Sequence, residues 1–519
     1  MSKKIISSQQ AAELVKDNMT VALSGFMGFG VPEELMWALG KRFKETQTPR
    51  DLTLYHTAAI GDNKERGANH LGQEGLVKKL FCAHIGLEPA LNKLTVENKI
   101  ATYMVPQGVT VHLLRAIAGK KVGVVTHVGL KTFADPRLEG CKVNQKARDG
   151  GDVVELVSLG GKEQLFFPSF PIDVAFIKGS YADEDGNITL HKEAAHADQM
   201  EMAAAAHNSG GIVIAQVEKI VARNTLNPQD VKVHGVMVDY IVQGCKEHTY
   251  QSFTSNEYHP EWSGEIRVPL SEVKPTPLSE RKIIGRRAAF EVRPGMLVNL
   301  GIGIPDQVAV VAAEEGFASD LTLSIESGIL GGVPLPGLDT GGSVNASAMY
   351  KQSDIFDVYD GGGIDLTCLG AAQIDPMGNV NVSKFSGRVV GPGGFINISQ
   401  NAKTVCFCGT FTAGKLQLEI KDGQLNIIQD GTGIKFVEQL EQVTFSGEYA
   451  LETDKKVLYI TERAVFQLME KGLTLIEIAP GADLEKDILS KMAFRPHIAE
   501  NLQLMDERIF RPEPMGLTF

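Results

Sequence analysis

The chain matches itself. Gly28, Gly30 and Pro32 recur as Gly301, Gly303 and Pro305, an offset of 273 residues. The stretch LTLYHTAAIG from residue 52 recurs as LTLSIESGIL from residue 321, an offset of 269, and Asp173, Asp183, Gly186 and Asn187 recur as Asp365, Asp375, Gly378 and Asn379, all at 192. Landmarks repeated in one order imply a duplicated domain. The fall from 269 to 192 assigns 77 extra residues to the first half, between the second and third landmarks. Within each half, short β-branched runs such as MTVALSGF, DVAFIKGS and VLYIT alternate with helical stretches, and glycine-rich turns follow several of them. That alternation predicts α/β architecture with mostly parallel strands. We therefore expect two homologous open, mainly parallel-sheet domains, residues 1–245 and 280–519. Residues 246–279, with Pro260, Pro269, Pro275 and Pro277 and no periodicity, are expected to form a linker or surface arm. Ser279 is a good N-cap for a following helix.

Composition narrows the function. At 519 residues the chain is too long for a single core, and its net charge of −12 argues against nucleic acid or an anionic membrane as the main partner. No apolar run is long enough to span a bilayer, and MSKKIISSQQAAELVKDN lacks the apolar core of a signal peptide, so a cytoplasmic location is expected. The cysteines at 82, 141, 245, 368, 406 and 408 follow no CxxC or disulfide spacing and are expected as free thiols, with Cys406 and Cys408 packed along a strand. No metal site is expected.

Within the duplicated frame one carboxylate stands without a counterpart. Between Leu321 and Leu338, eighteen residues, the only ionisable side chain is Glu326, and its counterpart in the first half is Thr57. A carboxylate required by the fold would recur, so Glu326 is a candidate for chemistry. The alternation in LTLSIE places it at the carboxyl end of a strand, where open α/β sheets bind ligands.

Three glycine-rich elements are candidates to accompany it. Each GxGxP copy follows an apolar strand and puts proline at an expected first helical position, leaving N–H groups for a ligand. The acids that follow, Glu33, Glu34 and Asp306, already satisfy the helix dipole, and GFMGFG does not have dinucleotide-fingerprint spacing, so tight-turn packing is the alternative to ligand contact, which is favoured for the second copy because it lies on the Glu326 side. The third element is VVGPGGFINIS, residues 389–399, whose glycines can turn N–H groups toward an oxyanion. Lys384 and Arg388 flank it and are candidate phosphate cations or solvated surface charges. His191 and His196 are five apart, a poor fit to one helical face, and are read as surface or supporting groups.

These segments resemble the signatures of the family I coenzyme A transferases. DNMTVALSGFMGFGVP, residues 17–32, is similar to the first signature, departing at Ser24. LSIESGILG, residues 323–331, resembles the second, which surrounds the catalytic glutamate, with Ser327 where the family usually has asparagine. GPGGF resembles the oxyanion segment, and VPQG at 105–108 the segment whose glutamine reaches the active site. The resemblance spans nearly the whole chain and is nearest to the single-chain acetate/propionate type. It implies catalytic roles for Glu326, Gly393, Gly394 and Gln107, and coenzyme A binding by the loop Asn299 to Pro305, with Asn299, Gly301, Gly303 and Gly391 as its binding residues. It also implies a homo-oligomer, dimer or tetramer, with acyl-CoA and small carboxylic acids as substrates.

The implied chemistry accounts for a solitary acid. Moving CoA between carboxylic acids is nearly thermoneutral, so no ATP, metal or redox cofactor is required and the CoA thioester is itself a substrate. An ionised Glu326 attacking a thioester implies a glutamyl-CoA intermediate and ping-pong kinetics. Burial opposes ionisation, so hydrogen bonds to its carboxylate are expected. Two alternatives are a thioesterase that uses the same glutamate with water as acceptor, and a non-catalytic CoA or metabolite binder on the same scaffold.

Overall fold

A computed structural model describes residues 4–269 and 276–519; Pro275 of the expected linker lies outside them. The chain divides into two compact units. Of the described residues, one comprises 4–268, 325–357 and 386–397, the other 269, 276–324, 358–385 and 398–519.

The first unit is built on a parallel sheet of β1 (Lys4–Ile5), β2 (Thr20–Leu23), β3 (Leu52–His56), β4 (Val77–Cys82), β5 (Ala101–Met104), β6 (Val174–Asp183), β7 (Ile212–Val221) and β8 (Tyr240–Gln243). Its spatial order is β1-β8-β7-β6-β2-β3-β4-β5. From β2 the chain builds outward to β5 in one direction and later to β8 in the other. The loop after β2, which carries Gly28, Gly30 and Pro32, therefore sits at the topological switch point, where such sheets bind ligands. Strands β4 and β5 fall within the 77-residue excess of the first half.

The second unit repeats the plan with β9 (Leu297–Leu300), β10 (Thr322–Ser324), β11 (Leu366–Leu369), β12 (Thr404–Cys408), β13 (Lys456–Ile460), β14 (Ala464–Met469), β15 (Gly472–Ile478) and β16 (His497–Leu504). Strand β9 lies between β10 and β11, all parallel, and β12 and β13 extend the sheet in parallel. Strands β14 and β15 then reverse direction. Its core includes Ile283, Ile284, Val298, Val311, Leu366, Leu458 and the buried thiols Cys368, Cys406 and Cys408.

The repeated aspartates explain themselves in hydrogen bonds. Asp173 Oδ2 accepts from the N–H of Thr20 at 2.7 Å, and Asp365 Oδ2 from that of Leu297 at 2.9 Å, each tying the start of a central strand. Asp183 accepts from the Asn187 N–H at 3.0 Å and amide at 2.9 Å, as Asp375 does from Asn379 at 2.9 and 2.8 Å. Asn187 Oδ1 then accepts from Gly235, and Asn379 Oδ1 from Gly447. These turns are side-chain mimics of backbone turns, retained in both copies because the scaffold needs them.

Two expectations are corrected. The units are not the contiguous halves 1–245 and 280–519, because residues 325–357 and 386–397 pack with the N-terminal sheet. Ile325, Ile329, Leu335 and Ala346 share a buried cluster with Phe29, Ala194, Ala195 and Trp262. Nor are residues 246–268 a surface linker. Tyr250, Gln251, Ser252, Phe253 and Trp262 are buried, and the Trp262 ring stacks on His259 at 4.0 Å. Apolar area removed from water, at about 25 cal/mol per Å², holds this proline-punctuated segment without regular structure. Ser279 caps the helix Glu280–Ala289 as expected, its Oγ accepting from the Lys282 N–H.

Candidate active site

Glu326 lies two residues beyond the end of β10, in a turn rather than on the strand. The Gly328 N–H donates to the Ile325 carbonyl at 3.0 Å, and the Ile325 N–H to the Ile329 carbonyl at 2.9 Å. Gly328 has φ +104°, and a Cβ there would stand 2.0 Å from the Tyr350 carbonyl oxygen, so glycine is required on both counts. Ser327, where the family usually has asparagine, is fully buried and donates its hydroxyl to the Gly341 carbonyl at 2.6 Å. The Glu326 carboxyl is thus carried on a turn pinned at both flanks.

Glu326 is partly buried, and burial pushes its carboxyl above the usual carboxylate range. The expected set of donors is not there. Among the described residues the one hydrogen bond that favours its ionised form comes from its own backbone N–H. A carboxylate with so little compensation is a stronger base and nucleophile than a well-solvated one.

Gln107 opens the helix Gln107–Ala118 and is buried. Its N–H donates to the Gly393 carbonyl at 3.0 Å, and its Nε2 donates to Gln352 Oε1 at 2.8 Å. The next N–H, that of Gly108, donates to Asn397 Oδ1 at 3.1 Å. The N-terminal N–H groups of this helix therefore hold the glycine segment. Gln352 in turn receives the chain two residues after Tyr350, the residue against which Gly328 packs.

The two central glycines of GPGGF differ. The Gly393 N–H donates to the Ala83 carbonyl at 3.0 Å and so is not available to an oxyanion. Gly394, buried, makes no such bond among the described residues, so of the two its N–H is the one not spent on the backbone. Gly391 has a packing role: a Cβ there would meet the Ala83 carbonyl at 2.5 Å and Met104 Sδ at 2.8 Å. His84 borders Gly393, and burial lowers its pKa to about 4, leaving it uncharged at neutral pH.

In the second unit, the remaining sequence candidates spend their polar groups on the fold. Buried Asn299 donates to the Ser324 carbonyl at 3.2 Å and accepts from Thr367 Oγ1. The Gly301 N–H donates to the Cys368 carbonyl at 2.8 Å, and that of Gly303 to Asp306 Oδ2 at 2.9 Å. Asp306 thereby takes the cap position, so the helix Gln307–Glu314 begins two residues after Pro305; in the first copy Pro32 is itself the cap. A cation passed over in the sequence, Arg281, donates to the Gly303 carbonyl at 2.8 Å. Arg388 is exposed. His191 is exposed and bonds Thr189; burial lowers the pKa of His196 to about 4.

Sequence reading also missed an acid. Thr57, the counterpart of Glu326, donates its hydroxyl to buried Asp198 and accepts from Gln352 Nε2 at 3.4 Å. Burial raises the Asp198 pKa to about 7. Only the three-dimensional path brings it beside Thr57.

In each copy a glycine loop follows a strand at the switch point of its sheet, and Glu326 stands in a glycine turn with no side-chain partner among the described residues, features that fit an acyl-transfer enzyme of the CoA-transferase class. The coenzyme A transferase family profile matches residues 5–244 and 281–486, and the chain belongs to that family. It is 47% identical to the caffeate CoA-transferase of Acetobacterium woodii, covering 99% of this chain and 98% of that one. It is 43% identical to the acetate CoA-transferase YdiF of Escherichia coli K12, covering 99% and 96%. The apoenzyme crystal structure of the acyl-CoA transferase YdiF from E. coli O157:H7 superimposes with a TM-score of 0.94 at 42% identity, over 100% of this chain and 98% of that one. A further YdiF structure, a thioester complex with CoA, gives 0.93 at 41% identity, with 100% and 98% covered. Among the described residues no helix is long and apolar enough to cross a membrane.

Proposed function

We propose that this CoA-transferase exchanges coenzyme A between a short-chain acyl-CoA and a free carboxylate of the acetate, propionate and butyrate class, through a thioester on Glu326. The observation that carries the proposal is the state of Glu326: an acid without a side-chain partner among the described residues, in a turn fixed by Gly328 and Ser327, with its pKa raised by burial. The carboxylate attacks the thioester carbonyl and expels CoA thiolate, giving a mixed anhydride. The thiolate attacks the Glu326 carbonyl, the first acid leaves, and glutamyl-CoA remains. An incoming carboxylate reverses both steps. Each tetrahedral oxyanion receives the Gly394 N–H. Gln107 is the second donor, through the amide hydrogen that its Nε2 does not spend on Gln352. Such a donor is worth about 3 kcal/mol of barrier.

Between nearly isoenergetic thioesters this cycle needs no metal or redox cofactor. The loop Asn299 to Pro305 is the proposed CoA-binding segment, with Arg281 as its cation. Gly303 supports this sterically: at φ +100° no atom lies within 4 Å of where a Cβ would stand. Cytoplasmic location and a homo-oligomer complete the proposal.

The 47% identity to a caffeate enzyme favours a second acceptor class, aromatic propenoic acids. Rates of CoA transfer from acetyl-CoA to propionate, butyrate and caffeate decide between them; the first reading requires higher kcat/KM for the aliphatic acids. Release of free CoA from acetyl-CoA at the same rate with and without acceptor would instead identify a thioesterase.

A further inference from the structure

Among the described residues, one cluster apart from the proposed catalytic set has the composition of a metal site. Glu34, Cys245 and His248 bring a carboxylate oxygen, a thiol sulfur and an imidazole nitrogen within 4.8 Å of one another. Cys245 Sγ donates to Glu34 Oε2 at 3.0 Å, and His248 Nδ1 is 2.6 Å from the same oxygen. Cys245 is the one exposed thiol; the other five are buried. Cys245 and His248 are three apart, a short-loop spacing usual for metal ligands.

We propose that Glu34, Cys245 and His248 bind one Zn²⁺, with solvent as the fourth ligand. The donor set, one sulfur, one nitrogen and one oxygen, suits zinc and disfavours calcium or magnesium, which take oxygen ligands. A tetrahedral zinc at bond lengths of about 2.0 to 2.3 Å spreads its ligand atoms to about 3.3 to 3.6 Å. The spacings of Cys245 Sγ and His248 Nδ1 from Glu34 Oε2, 3.0 and 2.6 Å, need to open by less than about an ångström.

The surroundings already hold the ligands in place. Ser8 Oγ donates to Glu34 Oε1 at 2.7 Å, leaving Oε2 to face the thiol and the imidazole. Gln216 joins the two chain segments: its Oε1 accepts from the Glu34 N–H and its Nε2 donates to the His248 carbonyl, both at 2.9 Å. The Trp37 ring packs 5.1 Å from the His248 ring, fixing its plane. Outer partners of this kind orient ligands and raise affinity. On binding, zinc takes the sulfur and Nδ1 lone pairs, and the thiol proton and any proton on Nδ1 pass to solvent. The ion then fastens the start of the helix Glu33–Thr46 to the loop after β8.

The test uses the full-length enzyme, stripped with chelator and titrated with Zn²⁺ and, separately, Co²⁺. One equivalent of zinc should be retained after dialysis and should slow alkylation of Cys245 at least tenfold. Co²⁺ should give a near-ultraviolet thiolate charge-transfer band. Cys245→Ser and His248→Ala should each lose the retained zinc, and Cys245→Ser should lose the band, with CoA exchange unchanged as evidence of folding. Zinc retained below half an equivalent by the wild type overturns the proposal. So does a cobalt band that survives Cys245→Ser, which would place the metal elsewhere.

Discussion

The backbone N–H of Gln107 donates to the carbonyl of Gly393 at 3.0 Å, while the Gly393 N–H donates to Ala83. The glycine segment is therefore held by the chain just after β4 and by the first residue of the helix that follows β5, while Gly394 makes no such bond among the described residues. Removing the substituent-free positions should have graded effects. Gly391→Ala drives a Cβ to 2.5 Å from the Ala83 carbonyl, whereas Gly393→Ala meets nothing nearer than 3.7 Å and strains only its φ of +51°. We expect Gly393→Ala to cost about 1 kcal/mol and Gly391→Ala to lower both Tm and kcat further. Thermal melts and steady-state rates on the two variants compare them; a larger loss in Gly393→Ala would contradict the packing.

Gln352 is a positioning residue for Gln107, because the Gln107 Nε2 donates to it at 2.8 Å. Gln107→Ala should lower kcat by about 10². Gln352→Ala should lower it less, and the double variant should fall no further than Gln107→Ala alone. Additive losses in the double-mutant cycle would show that the two act independently.

The pH dependence of turnover follows from Glu326. Only the carboxylate attacks, and burial raises its pKa above 4.5. Activity should therefore fall on acidification along a limb centred above 4.5, measured as kcat/KM against pH. A limb at or below the ordinary glutamate value would mean that the site does not desolvate this acid.

Asp198 should make stability depend on pH in the opposite sense to a salt-bridged acid. Its folded pKa, about 7, lies above its ordinary 3.8, so the folded state holds the proton more tightly. That stabilisation is complete below 3.8 and is lost as pH rises through 7. Asp198→Asn keeps an oxygen for the Thr57 hydroxyl but cannot ionise. Its Tm relative to wild type should rise between pH 5 and about 8; parallel Tm curves would contradict the assignment.

Much of this was legible in the sequence because the repeated residues do repeated work. Asp173 and Asp365 tie equivalent strands, and Asp183 and Asp375 fold equivalent turns, so they survive duplication as identities. Glu326 was visible as the unduplicated charge. What sequence could not show depends on long-range contacts. The loss of the Gly393 N–H to Ala83, and the meeting of Thr57 with Asp198 across 141 residues, leave no local pattern. Glu33 and Glu34 were read as dipole partners, yet Glu33 accepts from the Gly67 N–H at 2.7 Å and Glu34 from Ser8. In the stretch 246–279 four prolines and missing periodicity point to a linker, but the aromatics Tyr250, Phe253 and Trp262 are buried, and burial of such rings outweighs missing periodicity.

Peptide mapping after incubation with acetyl-CoA alone, with the intermediate trapped by borohydride, tests the central claim most directly. The account predicts modification at Glu326 and nowhere else, absent in Glu326→Gln, whose turnover should drop by roughly four orders of magnitude or more. Wild-type exchange at full rate with CoA attached to another residue, or with Glu326→Gln still active, would contradict it.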